Sequence, residues 1–135
     1  MPERPRVGGC ELRREVLAAP ATVGLLRDLA GVHLVKWGAS AELVDDVRLV
    51  VSELVTNSVA VCRGEVIVFE MYALAGAVMV EVRDPVEEGP VRRAAGPGDE
   101  GGRGLLIVGA LAEAWGTRRP PGGGKIVWAR VAATR

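Results

Sequence analysis

The sequence predicts an α+β domain: a two-layer α/β sandwich whose mixed, mostly antiparallel sheet carries its helices on one face. Three observations predict it. Val66 to Tyr72 and Ala77 to Arg83 are β-rich runs joined by a short connection around Leu74-Ala75-Gly76, which is hairpin spacing. Trp115 to Arg119 and Lys125 to Ala132 form a second such pair around Pro120-Pro121-Gly122-Gly123-Gly124. The helical patterns are grouped apart from these pairs and do not alternate with single strands, so the sheet is not of the all-parallel kind.

The elements follow in order. Cys10 to Ala18 alternates, with Cys10, Leu12 and Val16 on one parity, and reads as a first strand. Pro20 stands where a first helical turn tolerates it, and Thr22 to Trp37 carries Leu25, Leu26, Leu29, Val32 and Val35 or Trp37 at helical spacing, with Gly38 as its stop. Ser40 is a natural N-cap for a second helix running to about Cys62, with Glu42, Asp45 and Asp46 placed early to suit its dipole. Val50, Leu54 and Val61 form its apolar stripe. Two strands follow, then the irregular segment from Pro85 to Gly102. An apolar helix over Leu105 to Ala112 and the closing pair of strands complete the chain.

Composition narrows the function. The chain has 135 residues, enough for one domain (1–135, core about 10–132) that buries roughly two-thirds of its unfolded surface. Seventeen basic residues cancel seventeen acidic ones, and with three Trp, one Tyr and one Phe there is neither an electrostatic footprint nor a stacking platform for nucleic acid. The start, Met1-Pro2-Glu3-Arg4-Pro5-Arg6, does not read as a signal peptide, and the longest apolar run, Gly104 to Ala112, falls short of the ~20 residues of a membrane span. Cys10 and Cys62 make no disulfide framework and no metal pattern. A soluble cytoplasmic protein is expected. His33 is the single histidine, set among Val32, Leu34 and Val35, so triad and histidine-rich metal chemistry have little to work with. Lysine occurs only at Lys36 and Lys125, and the heavy use of arginine suggests a GC-rich, bacterial genome.

Three local patterns carry chemistry. Glu53 and Asn57 lie one helical turn apart and project side by side, either as a solvated helix face or as a functional pair. Asp84 continues the parity of Val78, Val80 and Val82, so an acidic group ends a strand on its interior face. A buried carboxylate needs donors; Asp84 either caps a turn before Pro85 or awaits a ligand. Gly98-Asp99-Glu100-Gly101-Gly102-Arg103-Gly104 runs directly into a helix, as a hinge or as a cradle whose N–H groups face an anion. It matches neither a P-loop nor a dinucleotide fingerprint.

Taken in that order, the motifs resemble the ATPase fold shared by DNA gyrase, histidine kinases and MutL (the GHKL superfamily, or Bergerat fold). In its small single-domain form this fold is found in the anti-sigma-factor serine kinases. The resemblance spans roughly Leu12 to Val131. Glu53-Leu54-Val55-Thr56-Asn57-Ser58 looks like the N box, Val80-Glu81-Val82-Arg83-Asp84 like the adenine-site strand, and Gly101-Gly102-Arg103-Gly104-Leu105 like the second glycine box. Gly123-Gly124-Lys125-Ile126-Val127-Trp128 is similar to the closing strand.

The resemblance implies ATP and Mg²⁺ as cofactors. Asn57 would be the metal ligand and Glu53 the general base. Asp84 would accept from the adenine amino group, and Gly102, Gly104, Arg103 and Leu105 would belong to the phosphate end. It further implies an ATP lid over about 85–102, and a serine/threonine protein kinase that phosphorylates a serine of a STAS-type anti-sigma antagonist and thereby controls a sigma factor. A homodimer through the first strand and helix is a further implication. The family pattern continues Asp-x-Gly-x-Gly, whereas Asp84 is followed here by Pro85-Val86-Glu87-Glu88-Gly89, and Lys125 and Ile126 replace a threonine common on the last strand. Thr117 offers the nearest hydroxyl. These departures motivate an alternative: a regulatory binding module that keeps the fold but turns over little or no nucleotide.

Overall fold

A computed structural model describes residues 5–87 and 100–133, the side chains of 100–104 excepted. The order is β1 (Arg6–Leu17), α1 (Pro20–Lys36), α2 (Ala41–Cys62), β2 (Val66–Leu74), β3 (Ala77–Asp84), α3 (Glu100–Leu111), β4 (Ala114–Arg118) and β5 (Lys125–Ala132). The sheet runs β1-β2-β3-β5-β4 with every neighbouring pair antiparallel. The α+β sandwich is as expected, and no parallel pair mixes into the described sheet.

Alternation builds the layers. Ile67, Phe69 and Met71 on β2, Val78, Val80 and Val82 on β3, and Val127, Ala129 and Val131 on β5 are all buried and share one core with Leu43, Val47, Val50, Val51, Leu54 and Val55 of α2. The central helix α2 packs against α1, α3, β3 and β5. Ser40 caps it as expected, its Oγ accepting from the Leu43 N–H at 3.1 Å. Val61 departs from the expected stripe: it is exposed, because the buried face continues through Ser58 to Cys62 instead. In α1 the buried face is Thr22, Leu26, Ala30, Gly31 and Leu34, while Leu25, Val32 and Val35 are exposed. That helix is apolar on both sides, so spacing alone could not choose which stripe faces inward.

The sheet's other face is polar but not open. Tyr72, Leu74, Ala77 and Met79 form a second small cluster beneath Trp128. Buried Glu81 accepts there from the Tyr72 hydroxyl and, at 2.6 Å, from Arg118 Nη2. This contact fastens the short edge strand β4 to the middle of the sheet. On α1, His33 Nδ1 lies 2.9 Å from the Leu29 carbonyl, where it can only donate, and its ring meets Trp37 edge-on. His33 therefore has a packing role.

Candidate functional site

Glu53 and Asn57 are both half-buried on α2, whereas Thr56 between them is exposed. The residue after Asn57 makes the decisive link. Ser58 is 1% exposed, and its hydroxyl donates to Asp84 Oδ2 at 3.1 Å. The buried face of α2, one residue beyond Asn57, is thereby tied to the end of β3.

Asp84 lies where strand parity places it, buried at 2% exposure. Both of its carboxylate oxygens are engaged within the chain. Oδ1 accepts from Lys125 Nζ at 2.8 Å and from the Val86 N–H at 3.0 Å, while Oδ2 accepts from Ser58. The Val86 contact closes a turn across Pro85, one of the two roles open to an acidic residue at this position. The Lys125 contact is an ion pair between side chains each 1% exposed. Lys125 Nζ also donates to the Val86 carbonyl at 3.3 Å.

Lys125 is the site residue that sequence reasoning undervalued. It shares the buried parity of Val127, Ala129 and Val131, and it stands directly opposite Asp84 in the β3–β5 register. Directly opposed residues on one face of an antiparallel pair have Cβ atoms about 5 Å apart, so an ion pair forms without distortion. Parity was legible; the pairing of β3 with β5 was not. Gly124 completes the arrangement. Its φ is +75°, and a Cβ there would lie 2.4 Å from the Asp84 carbonyl oxygen, so only glycine lets the β4–β5 turn pass this close to the strand end. Thr117 lies elsewhere. It is exposed on β4 opposite Val127, with β5 separating it from the strand of Asp84.

Cys62 borders the same cluster, its Sγ donating to the Ser58 carbonyl at 3.0 Å. Burial pushes its thiol upward; the negative charge of Asp84 adds to this and the positive charge of Lys125 opposes it.

At the phosphate end, α3 (Glu100–Leu111) takes in Gly101, Gly102 and Gly104, so these three are helical and do not lie in a loop ending before Leu105. The first turn of a helix leaves its N–H groups without intrahelical partners. Within the described residues, Gly102 lies in the first turn of α3, whereas Gly104 lies beyond it. Leu105 is buried. The Arg103 side chain and residues 88–99, most of the expected lid, fall outside the described residues.

The donor set can be compared with ATP-Mg²⁺. No group of three or more His, Cys, Asp or Glu gathers among the described residues, so a cation here would need nucleotide oxygens beside the amide oxygen of Asn57. That end fits. The base end does not fit as it stands, because the carboxylate that would receive an adenine amino group is closed by Lys125, Ser58 and Val86.

No helix among the described residues is long and apolar enough to cross a membrane. No curated protein matched the chain. Residues 16–131, from late β1 to late β5, match the family described as histidine kinase-like ATPase domain, the same span over which helix motif, strand-end carboxylate and glycine-bearing helix assemble. The chain belongs to the histidine kinase-like ATPase domain family, of the GHKL type.

Proposed function

We propose that this protein is a cytoplasmic ATP-binding regulator of the anti-sigma-factor serine kinase kind. The observation that carries the reading is the Ser58–Asp84 hydrogen bond, which ties α2, one residue beyond Asn57, to the strand end that would anchor a base. Bound ATP-Mg²⁺ would supply the transferable phosphoryl group and the cation that offsets its charge. Asn57 would hold the cation through its amide oxygen, and the Gly102 N–H would face the phosphates from the first turn of α3. Glu53 would take the proton of a serine hydroxyl as that oxygen bonds to the γ-phosphorus and the bond to ADP breaks. Arg103, Gly104 and Leu105 would frame the phosphate end. The substrate serine would sit on a STAS-type anti-sigma antagonist, whose phosphorylation would leave a sigma factor sequestered. A second copy would pair along edge strand β1 and the exposed apolar side chains of α1.

A second reading has its own observation. The buried Asp84–Lys125 pair satisfies the base anchor internally, which favours a regulatory module acting by protein contact with little nucleotide turnover. Calorimetry with ATP-Mg²⁺, together with transfer from labelled ATP to purified candidate antagonists, separates the two. Binding followed by transfer supports the kinase. Binding without transfer to any candidate supports the module, and no binding at millimolar ATP removes the kinase reading.

A further inference from the structure

We propose that Lys125 sets nucleobase affinity and selectivity in this protein: its ammonium occupies the position on Asp84 where a base's amino group would donate, closing the adenine anchor from within the chain. The inference rests on reading Asp84 as the base anchor of the proposed ATP site. An ionised carboxylate offers about four lone-pair positions. Three are taken, by Lys125 Nζ and the Val86 N–H on Oδ1 and by the Ser58 hydroxyl on Oδ2. The fourth belongs to a side chain that is 1% exposed, so no base reaches it without moving a neighbour.

The neighbour that would have to move is the ammonium, and it is doubly held. It donates to Asp84 and to the carbonyl of Val86 on the far side of Pro85. Displacing it would strand a buried cation beside an apolar core and release the turn that leads into residues 88–99. The backbone contributes as well. Gly124 brings the β4–β5 turn against the Asp84 carbonyl, which fixes the start of β5 and therefore aims Lys125. In a chain that otherwise draws nearly all its cations from arginine, the lysine here supplies a compact ammonium whose donors fit between a carboxylate and a carbonyl.

The chemical consequence is specific. An adenine 6-amino group finds no free acceptor at this corner, because the ammonium already holds the carboxylate. The ammonium is as buried as the carboxylate, so the 6-oxo group of hypoxanthine gains no contact there either. Selectivity for ATP over inosine triphosphate is therefore lost, and binding relies on the phosphates, the cation and Asn57.

The test is a calorimetric titration of the full chain with the Mg²⁺ complexes of ATP and inosine triphosphate, repeated on Lys125→Met and on Lys125→Met with Asp84→Asn. The wild-type protein is expected to bind the inosine nucleotide about as tightly as ATP. Lys125→Met, with Asp84 uncovered, is expected to gain about tenfold or more in ATP affinity and to prefer ATP, as a hydrogen bond to a charged group allows. The double variant should lose that gain. If Lys125→Met fails to fold, the wild-type comparison still decides. A wild-type preference for ATP of tenfold or more would overturn the role of Lys125 while leaving ATP binding intact. Absence of binding by any of the folded proteins would overturn both this inference and the ATP-binding reading.

Discussion

The Asp84–Lys125 pair should show its energetic character in a double-mutant cycle. Two unit charges 2.8 Å apart attract by about 6 kcal/mol at an effective dielectric of about 20. Burying both ions costs several kcal/mol each, so the intact pair is expected to add little net stability. Truncating one partner is different, because it leaves the other charge buried and alone, at a cost of about 3–5 kcal/mol. For a chain of this length, ~3.5 °C of Tm per kcal/mol converts that cost to roughly 10–18 °C. Asp84→Asn keeps an acceptor for the Val86 N–H and a partner for Ser58, while Lys125→Met keeps the volume of the stem. Each single variant should therefore fall by the full amount. The double variant should recover above either one, with a coupling of at least about 2 kcal/mol. Urea unfolding followed by circular dichroism measures all four corners. Single losses below about 1 kcal/mol, or a double loss equal to the sum of the singles, would show that the two charges are not coupled in a dry site.

Three further outcomes are expected. Glu53→Ala should leave ATP binding by calorimetry within about twofold while abolishing phosphoryl transfer, since a general base acts in the reaction and not in ground-state binding; loss of binding or of fold would refute its role. Gly124→Ala should destabilise by about 2 kcal/mol or more in urea melts, because it combines a positive φ with a backbone collision against Asp84; a neutral result would mean that β5 starts elsewhere. The thiol of Cys62 is raised in the folded state, so the folded protein holds that proton more tightly than the unfolded chain. The stability it contributes is complete below about pH 8.5 and is lost as pH rises beyond that toward the folded value. Cys62→Ala should flatten the fall in stability above that pH, and iodoacetamide should label Cys10 well before Cys62; equal labelling of the native protein would contradict the burial.

What could be read from residues alone follows physical locality. The hairpins, the Ser40 cap and the interior parity of Asp84 depend on neighbours within a few positions, and all three stand in the structure. Glu53 and Asn57 were legible as a pair one turn apart, but the tie between α2 and β3 is made by the neighbouring Ser58, on the buried face of the helix. The start of α3 was hidden because Gly101, Gly102 and Gly104 each disfavour a helix by about 1 kcal/mol, and packing of Leu105 and Val108 overrides that preference. Lys125 was hidden for a non-local reason. Its burial was implied by the alternation of β5, but its partner depends on β5 entering between β3 and β4, a topological choice that no short stretch of sequence encodes.

That strand order also constrains how the molecule can be made. β5 is the last of the described strands in sequence, yet it occupies an interior place in the sheet, bridging β3 to β4. During synthesis, α1, α2, β1, β2 and β3 can assemble before β5 has emerged. β4 has no sheet partner and Asp84 no cation until residues 125–132 have emerged. Such late, long-range closure is slow and leaves an open strand edge in the meantime. Nascent chains halted before Lys125 should consequently bind chaperones and expose β3 to proteases, and completion of β5 should end both at once.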